Sequence, residues 1–513
     1  MSKIDEVLEE FRKSFPQKFL ERRAYAENFD PAKHSFYIHD PETQFLSVLL
    51  TGYFTDFYYM TAEEVLMYSI PLHKEVLNKD MNFYISALEV ARECGMKDQV
   101  LLGLCLLSRK VETLDNELKE KYVKLLNSFP PNQIVKKFVN AKRKAKIGGA
   151  FVERDKYILI DYLQNQFASE YKTLKYRKYL KQMVNLVHYK DAPKLLFKRL
   201  SKYEGSDYIE NVKKVVLNKE FPDFKGEKMP FELVRSSIPK SLWSKWILRN
   251  TDMTGHTLLL QAVSLYPVLK DTTVFDKIVN TPYITSDQIL KVAVAAEMKN
   301  MSDLAKKFAE LYAEKVSICY KELLLPLKEP NVILLLDGSG SMIPASLTGM
   351  FFKSLAIVSP LAPLIKKLVL FSDNAKYIDP KLLLSYDGLR ELMKIAPSSG
   401  TNIAEALELA LKSEEEVVII VTDEQANVLT EEYDEMTLIR RLLDKGKTVI
   451  VINPTPYPVS VADIKDKRII YVRANNPESL VNAIKLVQMR LSKMSAQELI
   501  QKINVVKRKK KRT

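Results

Sequence analysis

The chain has 513 residues, 47% of them hydrophobic and 28% charged, an ordinary globular composition with room for more than one domain and a sizeable core. Its three cysteines, Cys94, Cys105 and Cys319, exclude a disulfide framework, and the lack of a C-x-x-C pair excludes a zinc ribbon. The net charge of +14 is unevenly placed. Residues 131–220 hold 21 Lys/Arg against nine Asp/Glu, a balance of +12, and six more basic residues run from Lys507 to Arg512.

The start, Met1-Ser2-Lys3-Ile4-Asp5-Glu6, has acids where a signal peptide needs an apolar run. The longest apolar stretch, near Leu355 to Phe371, contains Pro360, Pro363 and two lysines, so no membrane span is expected. Together with the cysteine usage, this gives the expectation of a soluble, cytoplasmic protein in a reducing compartment.

From Ile4 to about Leu325 the pattern is helix after helix. Leu46 to Phe57, Ala62 to Tyr68, Phe83 to Glu93 and Gln99 to Leu107 each repeat apolar residues at i, i+3 and i+4. Asn82 reads as a helix start, and Asn127 to Asn132, with its two prolines, as a break. No strict period recurs, so the expectation is a degenerate HEAT-like array of helix pairs over residues 1–329, closing into a ring or an arc. Within it, Lys172, Lys175, Arg177, Lys178 and Lys181 fall in three helical turns, with Lys172, Lys175 and Tyr179 on one side. An amphipathic helix is expected to end near Leu200 to Tyr203. Basic residues interleaved with Tyr171, Tyr176, Tyr179 and Tyr189 point to a polyanion, although a solvated lysine-rich surface has the same composition. Trp243 and Trp246 read as core.

At residue 331 the pattern changes. Asn331-Val-Ile-Leu-Leu-Leu-Asp337 is a short apolar run ending in a carboxylate, and Gly338-Ser339-Gly340-Ser341 follows in a tight turn. Pro397 to Asn402 offers Thr401 ahead of a helical pattern. Val417 to Asp423 is a second apolar run ending in a carboxylate. Strands alternate with helices through residues 330–494, giving a doubly wound, mainly parallel α/β domain. The basic tail, 495–513, is expected to be disordered. Such sheets bind ligands at the carboxyl ends of their strands. Asp337, Ser339, Ser341, Thr401 and Asp423 present only hard oxygen donors, suited to Mg²⁺ or Mn²⁺. Singly, Asp and Ser after a strand are ordinary turn residues. A haloacid-dehalogenase-type phosphatase would need a second Asp at position 339, and there is no P-loop or nucleophile elbow.

D-x-S-x-S followed by Thr401 and Asp423 resembles the metal-ion-dependent adhesion site of von Willebrand factor A domains. That resemblance implies that Ser339, Ser341 and Thr401 face the metal while Asp337 and Asp423 act largely through water. A helical array containing Leu186-Val-His188-Tyr-Lys190, joined to such a domain, resembles the Ro autoantigen family with its TROVE module. The family's Gly/Arg-rich stretch is replaced here by Lys142-Arg-Lys-Ala-Lys-Ile-Gly-Gly149. The resemblance implies an RNA-binding ribonucleoprotein component, not an enzyme. It would be a monomer that binds small non-coding RNA and single-stranded ends of misfolded or partly degraded RNA in quality control, with an exoribonuclease as a further partner. Lys142, Arg143, Lys172, Lys175, Arg177, His188 and Lys190 are its candidate RNA contacts. The rival expectation is an adaptor that docks through its metal on a MoxR-type AAA+ ATPase.

Overall fold

A computed structural model of the chain describes residues 41–51, 62–143, 149–224, 227–239, 242–281, 284–323, 327, 329–340, 342, 350–396, 399–423, 435–454, 469–473 and 477–510. They belong to two compact units: one drawn from Met1–Gln99, Thr285–Leu290 and Tyr312–Thr513, the other from Val100–Ile284 and Lys291–Leu311. The expected boundary at 329/330 does not coincide with this division, because the described residues up to Gln99 cluster with those from Tyr312 onward.

The described part of the first unit opens with helices Pro41–Thr51, Ala62–Lys79 and Met81–Glu93. The last starts just before Asn82: Asp80 is its N-cap, accepting the Phe83 amide at 2.9 Å, and so satisfies an N–H that the helix itself cannot. The second unit carries the basic segment. Helices Asn116–Asn127 and Glu153–Phe167 flank a continuous helical run, 131–143, whose middle, Ile134–Val139, is a π-helical turn. Two helices follow, Glu170–Lys175 and Arg177–Val187, interrupted at Tyr176. The second of these buries Leu180, Met183, Val184 and Val187, the i, i+3, i+4, i+7 stripe of an amphipathic helix. The helix expected to end near Leu200 to Tyr203 is instead a pair of 3₁₀ turns, Lys194–Leu196 and Leu200–Lys202. The Arg177 guanidinium takes the carbonyls of Leu196 and Lys198, which a regular helix would have used internally. Trp243 and Trp246 are core residues, each 5% exposed.

In the first unit, among the described residues, six strands form one sheet: β1 Val332–Asp337, β2 Ile365–Phe371, β3 Ala375–Ile378, β4 Val417–Val421, β5 Thr448–Asn453 and β6 Ile469–Arg473. Their order is β3-β2-β1-β4-β5-β6, parallel except for the antiparallel edge strand β3. Every residue of β1 and β4 is buried, as strands covered on both faces require. On one face Ile333, Leu335, Val418 and Ile420 pack in a core cluster with residues of helices Ile403–Lys412 and Glu435–Asp444, among them Leu407 and Leu442. The chain reverses direction across the sheet between β1 and β4, the switch point where doubly wound folds open a crevice.

The expected disordered tail is corrected over its described part: Ala496–Lys510 is helical, burying Leu499, Ile500 and Ile503, and 511–513 lie outside the described residues. That helix packs on Met81–Glu93, and the preceding helix, Pro477–Leu491, packs on Pro41–Thr51. There Asn482 is buried and donates to the Leu50 carbonyl at 2.9 Å. Each buried Leu or Ile contributes roughly 1.5–3 kcal/mol, enough to hold a helix that its lysines alone would leave solvated. No described helix is long and apolar enough to cross a membrane.

Candidate functional site

Two sites emerge, one in each unit. At the sheet, β1 and β4 end side by side at the switch point, so Asp337 and Asp423 arrive at the same edge, both fully buried. Asp337 Oδ1 accepts the Ser339 amide at 2.9 Å, and its Oδ2 accepts the Thr422 hydroxyl at 2.6 Å. The surrounding loops are tied together by backbone bonds: Gly338 N to Phe371 O at 2.8 Å, Gly340 N to Ser399 O at 2.8 Å, and Asn402 N to Ser372 O at 2.6 Å. These bonds draw the loop carrying Thr401 against the D-x-S turn. Ser339 and Thr401 are each 1% exposed; Ser341 lies outside the described residues. Thr422, which sequence reasoning missed, is recognisable only as a hydroxyl next to Asp423.

Burial, and then the nearby charge of Asp423, push the Asp337 carboxyl up to about 6. Two buried carboxylates facing one edge are mutually unfavourable unless protonated or offset by a cation. Among the described residues no group of three or more His, Cys, Asp or Glu side chains is placed to hold a metal. The donors here are of another kind, two carboxylates with hydroxyls, and that oxygen-only set fits a hard divalent cation.

In the second unit a cleft of about 600 Å³ opens between the 131–143 helical run and helix Arg177–Val187. Val135, Val139, Met183 and Leu186 are its apolar lining. Its polar lining is Asn140, Arg143, Gln182, Asn185 and His188. Of the candidate RNA contacts, the structure therefore brings Arg143 and His188 together, both exposed, with exposed Lys190 two residues beyond. His188 ends its helix in the left-handed conformation, φ 53°, with its amide bonded to the Val184 carbonyl. Tyr189 N also reaches Val184 O, at 3.2 Å, which is the bonding of a helix C-terminal motif that normally uses glycine. Gln182 and Asn185 were missed from sequence. Their signal was there: with His188 they recur every three residues along one helix.

The remaining candidates are redistributed. Lys142 is corrected outright: its side chain is fully buried, with Nζ 3.2 Å from Asp155 Oδ1, so no phosphate can reach it. Arg177 is occupied by the Leu196 and Lys198 carbonyls. Lys175 donates to the Tyr171 hydroxyl at 2.8 Å and lies 3.9 Å from Asp252, so its charge is partly offset. Lys172 is exposed. The break at Tyr176, φ −107° and ψ 17°, divides the segment, leaving Lys172 and Lys175 on the first helix and Tyr179 on the second. Tyr189 stacks on Phe167 with centroids 6.1 Å apart, and Tyr179 lies beneath the Lys136 ammonium at 5.9 Å.

The fold and these two sites define a mostly helical protein with a C-terminal six-stranded α/β sheet carrying an oxygen-lined edge. No protein-family model matches the chain, and no curated protein matches it.

Proposed function

We propose that this chain is a Ro-like RNA-binding protein, combining a TROVE-like helical module of HEAT-like character with a von Willebrand factor A-like domain. It would act in the cytoplasm as a ribonucleoprotein component in RNA quality control, binding small non-coding RNA and single-stranded RNA ends, with a binding rather than a catalytic role. The observation that carries the reading is the meeting of Arg143 and His188 at one cleft inside the most basic segment of the chain. An exposed guanidinium suits a phosphate, and an imidazole suits an unpaired base. We further infer that Asp337, Ser339, Ser341, Thr401 and Asp423 hold Mg²⁺ or Mn²⁺, which would offset the paired carboxylates and offer an open position to a partner's oxygen.

Filter binding of the full chain to a small hairpin RNA with a single-stranded 3′ end, across a salt series, tests the main reading. Arg143→Ala with Lys190→Ala should weaken binding and make the slope of log K against log salt shallower by roughly 0.7–0.9 per lost phosphate contact. Wild-type-like binding at every salt concentration would remove the basic segment as an RNA surface. The oxygen-lined sheet edge favours the second reading in that event, an adaptor docking by its metal on a MoxR-type AAA+ ATPase. Metal-dependent co-purification with such an ATPase would then be the deciding measurement.

A further inference from the structure

The cleft between the 131–143 helical run and helix Arg177–Val187 has a feature that phosphate binding does not require: an apolar floor. Val135 and Val139 come from one wall, Met183 and Leu186 from the other. Lysine and arginine on a flat helical surface suffice to hold a sugar–phosphate backbone. A concave apolar surface is instead suited to a flat, weakly hydrated ring. Val135 and Val139 both lie on the π-helical turn Ile134–Val139, a wider, rarer geometry that recurs at functional positions in helices.

The rim supplies the other half of the recognition. Gln182 and Asn185 are exposed on the same helix. Each carboxamide carries an acceptor and a donor side by side, the pairing presented by the Watson–Crick edge of a nucleobase. Arg143 stands at the far wall with its guanidinium exposed. His188 closes the near end, its backbone held in a left-handed conformation that a histidine adopts at some cost. The buried Lys142–Asp155 pair fixes the residue immediately before Arg143, so the guanidinium extends from an anchored backbone.

We infer that this cleft takes one unpaired nucleotide of an RNA: the base on the apolar floor, its edge on Gln182 and Asn185, and its phosphate on Arg143. The inference rests on the RNA-binding reading above and adds a specificity to it. A base inside an A-form helix cannot reach the floor, so the cleft selects RNA with an extruded or single-stranded residue over a continuous duplex. An acidic peptide would satisfy Arg143 and, through its backbone amides, the two carboxamides, but its charged side chains would leave the apolar floor without a matching group.

The test uses the full chain and two hairpin RNAs of equal length, one with a single bulged 2-aminopurine and one with that position paired. Wild type should bind the bulged hairpin about tenfold more tightly, the scale of burying roughly 55 Å² of apolar surface, with a change in 2-aminopurine fluorescence. Gln182→Ala/Asn185→Ala alters two exposed side chains. It should abolish the preference and the fluorescence change while leaving affinity for the paired hairpin, and the circular dichroism spectrum, as in wild type. Equal binding of both hairpins by wild type, or an undiminished preference in the double variant, overturns the nucleotide cleft and leaves RNA binding intact. Failure to bind either hairpin overturns the RNA reading itself, and direct binding of an acidic peptide by wild type, lost in Arg143→Ala, would then identify the cleft as a protein site.

Discussion

The ammonium of Lys142 lies 3.2 Å from Oδ1 of Asp155, and both side chains are wholly buried. Asp155 is otherwise well served, accepting the Ser108 hydroxyl at 3.1 Å and the Val152 amide at 3.0 Å, the latter at the start of its own helix. Burial pulls the Lys142 ammonium below its usual range, and the neighbouring carboxylate partly restores it. The pair clamps the end of the 131–143 run against helix Glu153–Phe167, and thereby holds the backbone next to Arg143.

Breaking that pair should be costly in an order set by what remains. Asp155→Ala strands a buried cation, the Ser108 hydroxyl and a helix N-cap bond, and should destabilise by about 3–5 kcal/mol. Lys142→Met leaves Asp155 with its other two partners and should cost less, about 1–3 kcal/mol. Urea denaturation of both variants measures the order; equal or reversed losses would show that the cation is not held by this carboxylate.

The carboxylates at the sheet edge give a test of the proposed metal. Asp337→Asn keeps an acceptor for the Ser339 amide and removes one of two buried charges. Without metal, this variant should therefore be at least as stable as wild type. Adding Mg²⁺ or Mn²⁺ should raise the melting temperature of wild type alone, by about 2–4 °C per kcal/mol of binding free energy. A rise of equal size in the variant would remove Asp337 from the site.

His73 sets an acid sensitivity. It is fully buried, with Nε2 facing the Gln99 amide oxygen at 2.8 Å and Nδ1 facing the Tyr84 hydroxyl at 2.7 Å. Nε2 therefore donates to the amide oxygen, and with burial holding the ring neutral Nδ1 accepts from the hydroxyl. Burial lowers its pKa from 6.5 to about 4. The unfolded chain then binds the proton more readily than the folded one, so stability is lost as pH falls from 6.5 towards 4 and is fully present above that window. The loss due to this group should approach ~3 kcal/mol. The difference between wild type and His73→Gln in denaturation from pH 7 to pH 4.5 isolates it, and parallel profiles would assign the sensitivity elsewhere.

At His188 the backbone and the side chain make opposite demands. The left-handed cap suits glycine, so His188→Gly should be neutral or stabilising by up to about 1 kcal/mol. The same variant deletes the imidazole from the cleft and should weaken binding of RNA with unpaired residues. Thermal melting together with filter binding separates the two effects. A destabilised variant would mark the ring as a structural part of the cap.

The α/β part of the chain was readable because its signals are local. Apolar runs ending in Asp, at 332–337 and 417–423, carry their strand preference within a few residues, and the alternation of strands with helices marks a mainly parallel sheet. The 375–378 edge strand escaped notice because it is short and half exposed, with too few residues for a period to register. Lys142 was indistinguishable in sequence from Arg143. One is buried and the other exposed because burying an ammonium requires a carboxylate in contact, and Asp155 reaches it only once two helices have packed.

Non-local contacts decided the rest. Asn482 donates to Leu50, and Leu499, Ile500 and Ile503 are buried, so a terminal segment that composition marks as a solvated tail becomes a packed helix. No pattern within that segment names the surface it covers. The amino-acid sequence by itself determined which residues could be strands, helices and oxygen donors, since backbone preference and side-chain chemistry are properties of short stretches. Only the tertiary structure decided which charges are spent in the core, which lie open at the cleft, and which ends of the chain share a core, because burial depends on partners distant in the chain.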